Sequence, residues 1–253
     1  NKKIENIEPS RYSFKPSNII VSNVIRDMRL IIRTPALRTN CIINPLVLTV
    51  FMVWPICFLG NSLTGIIDDI GLVNIGIYLG IYVWCLCINM PTASTSFSRD
   101  GSALKFFKIY PIKANKYILS KLYVAMINSI IIFISFSILI GFASNNLKDF
   151  IILEVLLLNY LLTINMVNIK FDAKNFTSNW IDIKELFDIQ KIMKSILPGN
   201  IALLLLGAYA LVGNIFFHFK VNTGESYFAL GIIILVNIII CVISYKKTLK
   251  NIR

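Results

Sequence analysis

The chain has 253 residues, of which 56% are hydrophobic and 15% charged, with a mean hydropathy of +0.72. A soluble domain keeps about a quarter of its residues charged, so the composition excludes an ordinary soluble globular protein. The net charge of +12 would suggest nucleic-acid binding in a soluble protein. Here the basic residues lie in loops between long apolar runs, and we therefore expect no nucleic-acid partner.

The start of the chain is a polar segment without a signal peptide. Its first residue is Asn1 rather than an initiator methionine, and the first twenty residues are polar. We therefore expect the sequence to be a fragment, the C-terminal part of a longer protein whose N-terminal half is missing. A processed or trimmed chain would begin in the same way.

The N-terminal segment, residues 1–40, contains a predicted amphipathic helix over residues 17–34, with Ser17 after Pro16 as its N-cap. Apolar residues recur near helical spacing among three arginines and one aspartate. The helix is too charged to cross a bilayer, so we expect it to lie in the headgroup plane of the membrane. The alternative is a soluble helix that packs on another domain.

Six apolar runs follow, each close to the roughly 20 residues that a transmembrane helix needs. They cover about residues 41–60, 71–90, 122–143, 150–169, 200–218 and 227–245. The first run contains Pro45 and Pro55, which predict a bend in that helix. The predicted fold class is an all-α integral membrane protein with about six transmembrane helices over residues 41–245, followed by a basic tail at 246–253.

The loops between the runs carry their basic residues on alternate sides. Of the 25 Lys and Arg residues, eight lie in residues 1–40, six in residues 91–121, five in residues 169–199 and four after residue 245. The other two are Lys148 and Lys220. Cytoplasmic loops of membrane proteins are enriched in Lys and Arg. We therefore predict a multi-pass protein of the cell (plasma) membrane with both termini in the cytoplasm.

Two of the predicted cytoplasmic loops are long enough to form helices. Loop 91–121 contains a basic amphipathic helix that ends at Pro111, and a further helix begins near Ala114 and runs into the third span. Loop 169–199 contains another amphipathic stretch. Loop 91–121 is predicted to dock on a cytoplasmic partner, and the alternative is a loop that rests on anionic membrane lipids.

Sequence motifs for catalysis are missing from the chain. His218 is the sole histidine, no GxxxxGK[ST] phosphate-binding loop is present, and none of the five cysteines belongs to a CxxC pair. We therefore expect no enzyme activity, no cofactor, no metal site and no disulfide framework in this chain.

Polar residues inside the apolar runs are candidates for a transport path. Glu154 is the sole acidic residue within a run, and an intramembrane carboxylate is a functional candidate. It also lies near the predicted outer end of the fourth span, where it can reach water and the positive end of the helix dipole. The runs further contain Asn128, Asn159, Asn165, Asn214 and Asn237. Asn159 is taken as a second path candidate, although interhelical hydrogen bonding is the simpler explanation of these amides.

Three stretches resemble the transmembrane subunits, or permeases, of bacterial ABC exporters. The first stretch consists of Ser98-Arg99-Asp100-Gly101, Leu104-Lys105, Tyr110-Pro111-Ile112 and Lys121. It is similar to the family's pattern of Ser-Arg-Glu-Gly, Leu-Lys, Leu-Pro-Ile and Lys in the same order. The family's Asp-x-Lys-x-Pro … Trp stretch is similar to Asp172-Ala173-Lys174 and Trp180, without the proline expected near Phe176. Its first segment resembles Arg26-Asp27-Met28-Arg29-Leu30 and Arg33-Thr34-Pro35.

The resemblance implies a six-helix permease half with an interfacial first helix and a coupling helix between spans 2 and 3. That coupling helix would dock on a separate cytoplasmic ATP-binding-cassette ATPase subunit, which would hold ATP and Mg. A second permease half, or a homodimer, would complete the transporter. The coupling residues that the resemblance implies are Arg99, Asp100, Gly101, Leu104, Lys105, Phe106, Phe107, Tyr110, Pro111 and Ile112.

Two other functions fit the sequence pattern. One is a polytopic transporter or channel that works without ATP, for which charged residues or broken helices near the membrane midplane are typical. The other is a membrane sensor or immunity protein that binds a partner and transports nothing.

Overall fold

The computed structural model describes residues 18–47, 91–103, 113–143, 147–175, 180, 182–187 and 223–252. Within these ranges the chain is mostly helical and contains no strand, which confirms the all-α prediction for this part. The predicted spans at 71–90 and 200–218, and most of the span at 41–60, lie outside the described residues.

The first helix, α1, spans Ile19–Arg33. Its N-cap is Asn18, whose side-chain oxygen accepts a hydrogen bond from the N–H of Ile20 at 3.2 Å. The sequence predicted Ser17 in this position, but the asparagine amide has the same capping capacity. Thr34 ends the helix in an extended conformation, with φ −91° and ψ 112°, because the proline that follows disfavours a helical residue before it.

The second helix, α2, spans Pro35–Arg38 and passes directly into a π-helical turn at Thr39–Ile43. Proline fits the first turn of a helix because its missing N–H would have no partner there. Pro45, where the sequence predicted a bend, lies just beyond the π-helical turn in the helical residues 44–47. This irregular helix is the beginning of the predicted first span.

A short helix, α3, spans Pro91–Ser94 and is followed by a 3₁₀ segment at Ser98–Ala103. The long helices of the described part are α4 (Ala114–Ala143), α5 (Leu147–Lys174) and α6 (Thr223–Ile252). A 3₁₀ turn at Ile183–Phe187 lies between α5 and α6 in the sequence.

The three long helices cover the predicted spans at 122–143, 150–169 and 227–245. The helix start predicted near Ala114 is confirmed, and α5 continues past the predicted end of its span to Lys174. Among the described residues, the stretches Phe150–Lys174 and Gly231–Ile252 are long and apolar enough to cross a membrane. The count of six spans stays a prediction.

The long helices expose apolar side chains on their outer faces and bury several polar side chains together with apolar ones. The exposed apolar residues recur at helical spacing, as in Ile127, Ile130, Ile134 and Ile138 of α4, Ile151, Val155, Leu158 and Leu162 of α5, and Leu235, Ile239, Val242 and Ile243 of α6. The buried polar residues include Asn128, Thr163, Asn165 and Asn237. Water-soluble proteins show the opposite preference, whereas helices in lipid often associate through buried polar contacts.

The largest apolar cluster among the described residues joins α3, α4 and α5. The buried members come from α3, α4, α5 and the residue just before the 3₁₀ segment, and they are Ala93, Phe97, Tyr117, Ile118, Ala125, Met166, Ile169 and Ala173. Tyr245 and Leu249 of α6 pack against the same cluster. A smaller cluster of Ile31, Cys41 and Val124 holds α1 and the π-helical turn against α4. The candidate site lies where these two clusters meet.

Candidate functional site: a buried charged junction

Charged residues from α1, the 3₁₀ segment and α4 meet in a group that we call the charged junction, formed by Arg26, Asp27, Asp100, Tyr117 and Lys121. The Lys121 Nζ lies 2.7 Å from Oδ2 of Asp27 and 2.6 Å from Oδ2 of Asp100. The Arg26 Nη2 lies 2.8 Å from Oδ1 of Asp27 and 3.2 Å from Oδ1 of Asp100. The Tyr117 hydroxyl donates to Oδ2 of Asp100. Each carboxylate therefore contacts the same two cations.

The side chains of the charged junction are buried, except that of Arg26. The side chain of Lys121 is 0% exposed, that of Asp27 1% and that of Asp100 5%, whereas that of Arg26 is 43% exposed. A buried charge is tolerated only when partners compensate the loss of its hydration. The two carboxylates fulfil this condition for Lys121, so the junction fixes α1 and the 3₁₀ segment to α4.

The electrostatic environment shifts the pKa values of Asp27 and Tyr117. Burial by itself would raise the pKa of Asp27, but the positive charges of Lys121 and Arg26 lower this pKa overall. Burial also raises the pKa of the Tyr117 phenol, and the charge and hydrogen bond of Asp100 raise it further. Asp27 is therefore ionised and Tyr117 protonated at neutral pH.

A second set of contacts, which we call the loop clamp, holds the start of the 3₁₀ segment against α5. Oδ2 of Asp172 accepts hydrogen bonds from the backbone N–H of Phe97 at 2.6 Å and of Ser98 at 3.0 Å. Oδ1 of Asp172 accepts the Ser98 hydroxyl. The indole N–H of Trp180 donates to the carbonyl oxygen of Ser98 at 2.8 Å. The segments at 98–101 and 172–180, which the sequence analysis singled out separately, thus contact each other.

Gly101 lies inside the 3₁₀ segment and has φ 52° and ψ −130°. A residue with a Cβ rarely adopts this conformation, whereas glycine does so without strain. The glycine allows the backbone to turn immediately after Asp100, whose carboxylate points into the charged junction.

The predicted coupling residues divide into two groups. Arg99, Asp100 and Gly101 are described, and they lie inside the protein rather than on a docking surface, since Arg99 is 4% exposed and the side chain of Asp100 is 5% exposed. The remaining coupling residues lie outside the described residues, and they are Leu104, Lys105, Phe106, Phe107, Tyr110, Pro111 and Ile112. Docking of this segment on a partner stays a prediction.

The two predicted path residues lie on different faces of α5. Glu154 faces α4, where the Ser137 hydroxyl donates to its Oε2 at 3.0 Å. Asn159 lies one turn before Thr163, whose hydroxyl donates to the Asn159 carbonyl at 2.9 Å and to the Asn237 carbonyl of α6 at 3.2 Å. Five helical positions correspond to a rotation of about 140°, so the structure does not bring Glu154 and Asn159 together.

The sequence analysis missed a buried, hydroxyl-rich segment beside the junction. Thr92, Ser94, Thr95, Ser96 and Ser98 are each no more than 3% exposed. The amide of Asn128 donates to Thr92 at 3.0 Å, which ties this segment to α4. The available signal was the presence of five hydroxyl residues between positions 92 and 98.

Comparison with protein-family models, curated proteins and solved structures found no match. Within the described ranges, no group of three or more His, Cys, Asp or Glu side chains is placed to hold a metal ion. The charged junction and the loop clamp are therefore the features from which a function is inferred.

Proposed function

We propose that the chain is the transmembrane permease subunit of an ATP-driven exporter. The observation that carries this proposal is the convergence of three segments that resemble ABC exporter permeases. Asp27 and Asp100 share Lys121, and Asp172 binds the backbone of Ser98. Residues that lie far apart in the sequence, in segments that resemble one family, thus form a continuous set of contacts.

The contacts give the 3₁₀ segment a mechanical connection on two sides. Through Asp100 it is joined to α1 and α4, and through Ser98 it is joined to α5. In the proposed mechanism, ATP closes two partner ATPase subunits, and their movement reaches residues 99–112. The helices attached to the 3₁₀ segment then move as rigid bodies and open a substrate path to the outside.

The orientation of α1 supports its proposed place at the membrane surface. Its buried residues are Asn23, Asp27 and Ile31, so the charged Asp27 is turned into the protein. The outward face carries Val21, Ile25 and Ile32, each at least 45% exposed, beside the exposed Arg29 and Arg33. Apolar and basic residues together suit the boundary between lipid headgroups and acyl chains.

The proposed topology is six spans with both termini in the cytoplasm. The concentration of Lys and Arg in alternate loops supports it. The long helices α4, α5 and α6, with their outward apolar residues, supply three of the proposed spans. In this topology the charged junction and the loop clamp would lie at the cytoplasmic end of the helices, because Lys121 and Lys174 lie in the basic loops 91–121 and 169–199.

The proposed transport path runs along α5. Oε1 of Glu154 and Oδ1 of Asn159 are buried, and neither has a hydrogen-bond partner within the described part of the chain. A buried polar atom without a hydrogen-bond partner destabilises the fold, and a hydrogen bond from a water molecule or a polar substrate group would remove this cost. Because the two residues lie on different faces of α5, they would not line one path together, and Glu154 would line a path beside α4 whereas Asn159 would line one near α6.

Co-purification tests the proposed function. The chain is tagged and expressed in its native host, and the detergent-solubilised material is analysed for a stable complex with an ATP-binding-cassette ATPase. We expect the ATPase to co-purify and its ATP turnover to change when the permease is present. A chain that transports in vesicles without ATP would instead be an ATP-independent transporter or channel. A chain that binds a partner without transport would be a sensor or immunity protein.

A paired substitution tests the predicted coupling segment. Phe106→Glu with Phe107→Glu is expected to uncouple ATP hydrolysis from transport, because charged side chains would weaken an apolar helix-in-groove contact. Phe228→Glu is the matched control, since Phe228 is 73% exposed on α6, near the predicted outer side. Unchanged ATPase binding and transport in the Phe106 and Phe107 variant would show that the coupling segment is wrongly assigned.

A further inference from the structure

Arg99 is a buried cation with most of its hydrogen-bonding capacity unused. The residue is 4% exposed, and its Nη1 donates to the Thr95 hydroxyl at 3.3 Å. Within the described part of the chain, neither Nε nor Nη2 of Arg99 has a hydrogen-bond partner. A guanidinium offers five N–H donors in a planar fork, and leaving them unpaired in the interior is costly.

The neighbouring carboxylates are already engaged by other cations. Both oxygens of Asp27 and both oxygens of Asp100 contact either Arg26 or Lys121. Arg99 adds a third positive charge beside these two negative charges. Asp172, which binds the backbone N–H groups of Phe97 and Ser98, adds a third carboxylate to this region, so the unpaired donors of Arg99 rather than a net charge define where a further anion would bind.

Among the described residues, the acceptor of a hydrogen bond from Arg99 is the Thr95 hydroxyl. The Cys41 thiol lies beside both the Arg99 guanidinium and the Thr92 hydroxyl, and a thiol is a weak acceptor. Ser96, three positions earlier, is 0% exposed, and its hydroxyl has no hydrogen-bond partner within the described residues. An oxygen-rich anion would accept hydrogen bonds from Nε and Nη2 of Arg99 without displacing any partner of these two atoms.

We propose that Arg99 binds an oxyanion of the phosphate type, with the Ser96 hydroxyl as an additional donor. Arginine binds phosphate through two parallel N–H···O bonds, which matches the two free donors. The anion is either free phosphate or the headgroup phosphate of a phospholipid. The site is independent of the exporter proposal, since it follows from the unpaired donors alone.

Thermal unfolding of the purified full chain in neutral maltoside detergent tests the site. Inorganic phosphate is titrated against chloride at constant ionic strength, and the Tm is recorded. In a second arm, phosphatidylglycerol is compared with a neutral glycolipid that has the same acyl chains. We expect a saturable rise in Tm with phosphate, with phosphatidylglycerol, or with both, because a ligand that binds only the folded state stabilises it. The arm that gives the rise identifies the source of the oxyanion.

Variants separate Arg99 from general electrostatics. Arg99→Met should abolish the rise and leave the Tm without phosphate equal to or above that of the wild type, because two buried nitrogens without hydrogen-bond partners are removed. Arg29→Gln, at an exposed arginine of α1, should retain the full rise. Arg99→Lys keeps the positive charge but lacks the two parallel N–H donors of the guanidinium. Its Kd for phosphate should therefore increase about tenfold or more.

Ser96→Ala provides a test that does not depend on the folding of Arg99 variants. Its Tm without phosphate should match the wild type, since the Ser96 hydroxyl makes no hydrogen bond within the described part of the chain, whereas its Kd for phosphate should increase about tenfold. The proposal is overturned if phosphate and phosphatidylglycerol raise the Tm no more than their controls, or if the rise persists in Arg99→Met. No ATPase subunit is present, so failure of the exporter proposal would not affect this result.

Discussion

Replacement of Lys121 by methionine is the most direct perturbation of the charged junction. Lys121 is 0% exposed at its side chain and contacts Asp27 at 2.7 Å and Asp100 at 2.6 Å. Removing one partner of a buried ion pair costs about 3–5 kcal/mol, because the remaining charge is left uncompensated. Arg26 still contacts both carboxylates, so we expect the lower limit, about 3 kcal/mol, or about a hundredfold in the unfolding equilibrium.

The assay is denaturant unfolding in detergent, followed by helical circular dichroism. Lys116→Met is the matched control, because Lys116 is an exposed lysine on the same helix. Substitutions at such surface positions usually change the free energy of unfolding by less than about 0.5 kcal/mol. Adding Asp27→Asn to Lys121→Met should recover part of the loss, with a coupling energy of about 1–3 kcal/mol between neighbouring charges.

Equal stability of Lys121→Met and Lys116→Met would refute the reasoning, because Lys121 would then be free to reach water. Strict additivity of the Lys121 and Asp27 substitutions would likewise show that the two side chains do not share a buried contact. A loss in Lys121→Met that Asp27→Asn partly restores is the result expected from the structure.

Three further outcomes follow from the same region. Because the folded state lowers the pKa of Asp27, ionised Asp27 stabilises the fold at pH values above 3.8, the ordinary pKa of an aspartate. This stabilisation is lost as the pH falls from 3.8 through the lower pKa of the folded state. The Tm difference between the wild type and Asp27→Asn should therefore narrow below pH 3.8. Gly101→Ala should cost about 1–3 kcal/mol in chemical unfolding because of its φ of 52°, whereas Gly231→Ala, where an added Cβ has nothing within 4 Å, should not destabilise. Asp172→Ala removes the carboxylate of the loop clamp and should lower the free energy of unfolding by about 1–3 kcal/mol. In a background with Trp54→Phe and Trp84→Phe, it should also shift the fluorescence of Trp180 to longer wavelength. Unchanged emission would contradict the loop clamp.

The sequence by itself determined the helical architecture of the described part. Apolar runs at 122–143, 150–169 and 227–245 lie within the observed long helices, and the helix start near Ala114 was placed correctly. These features are local, since composition, spacing and proline position act over a few turns of one helix. The shift of the α1 cap from Ser17 to Asn18 is the uncertainty expected at a helix boundary.

The tertiary structure alone decided which charges are buried and what each contacts. Nothing local distinguishes Lys121 from the exposed Lys116, and Lys121 is 94 residues from Asp27 in the sequence. The sequence placed Arg99 and Asp100 on a docking segment, whereas folding encloses both. The physical reason is that a charge can be buried only where partners from other helices compensate it, and a one-dimensional pattern does not contain that proximity.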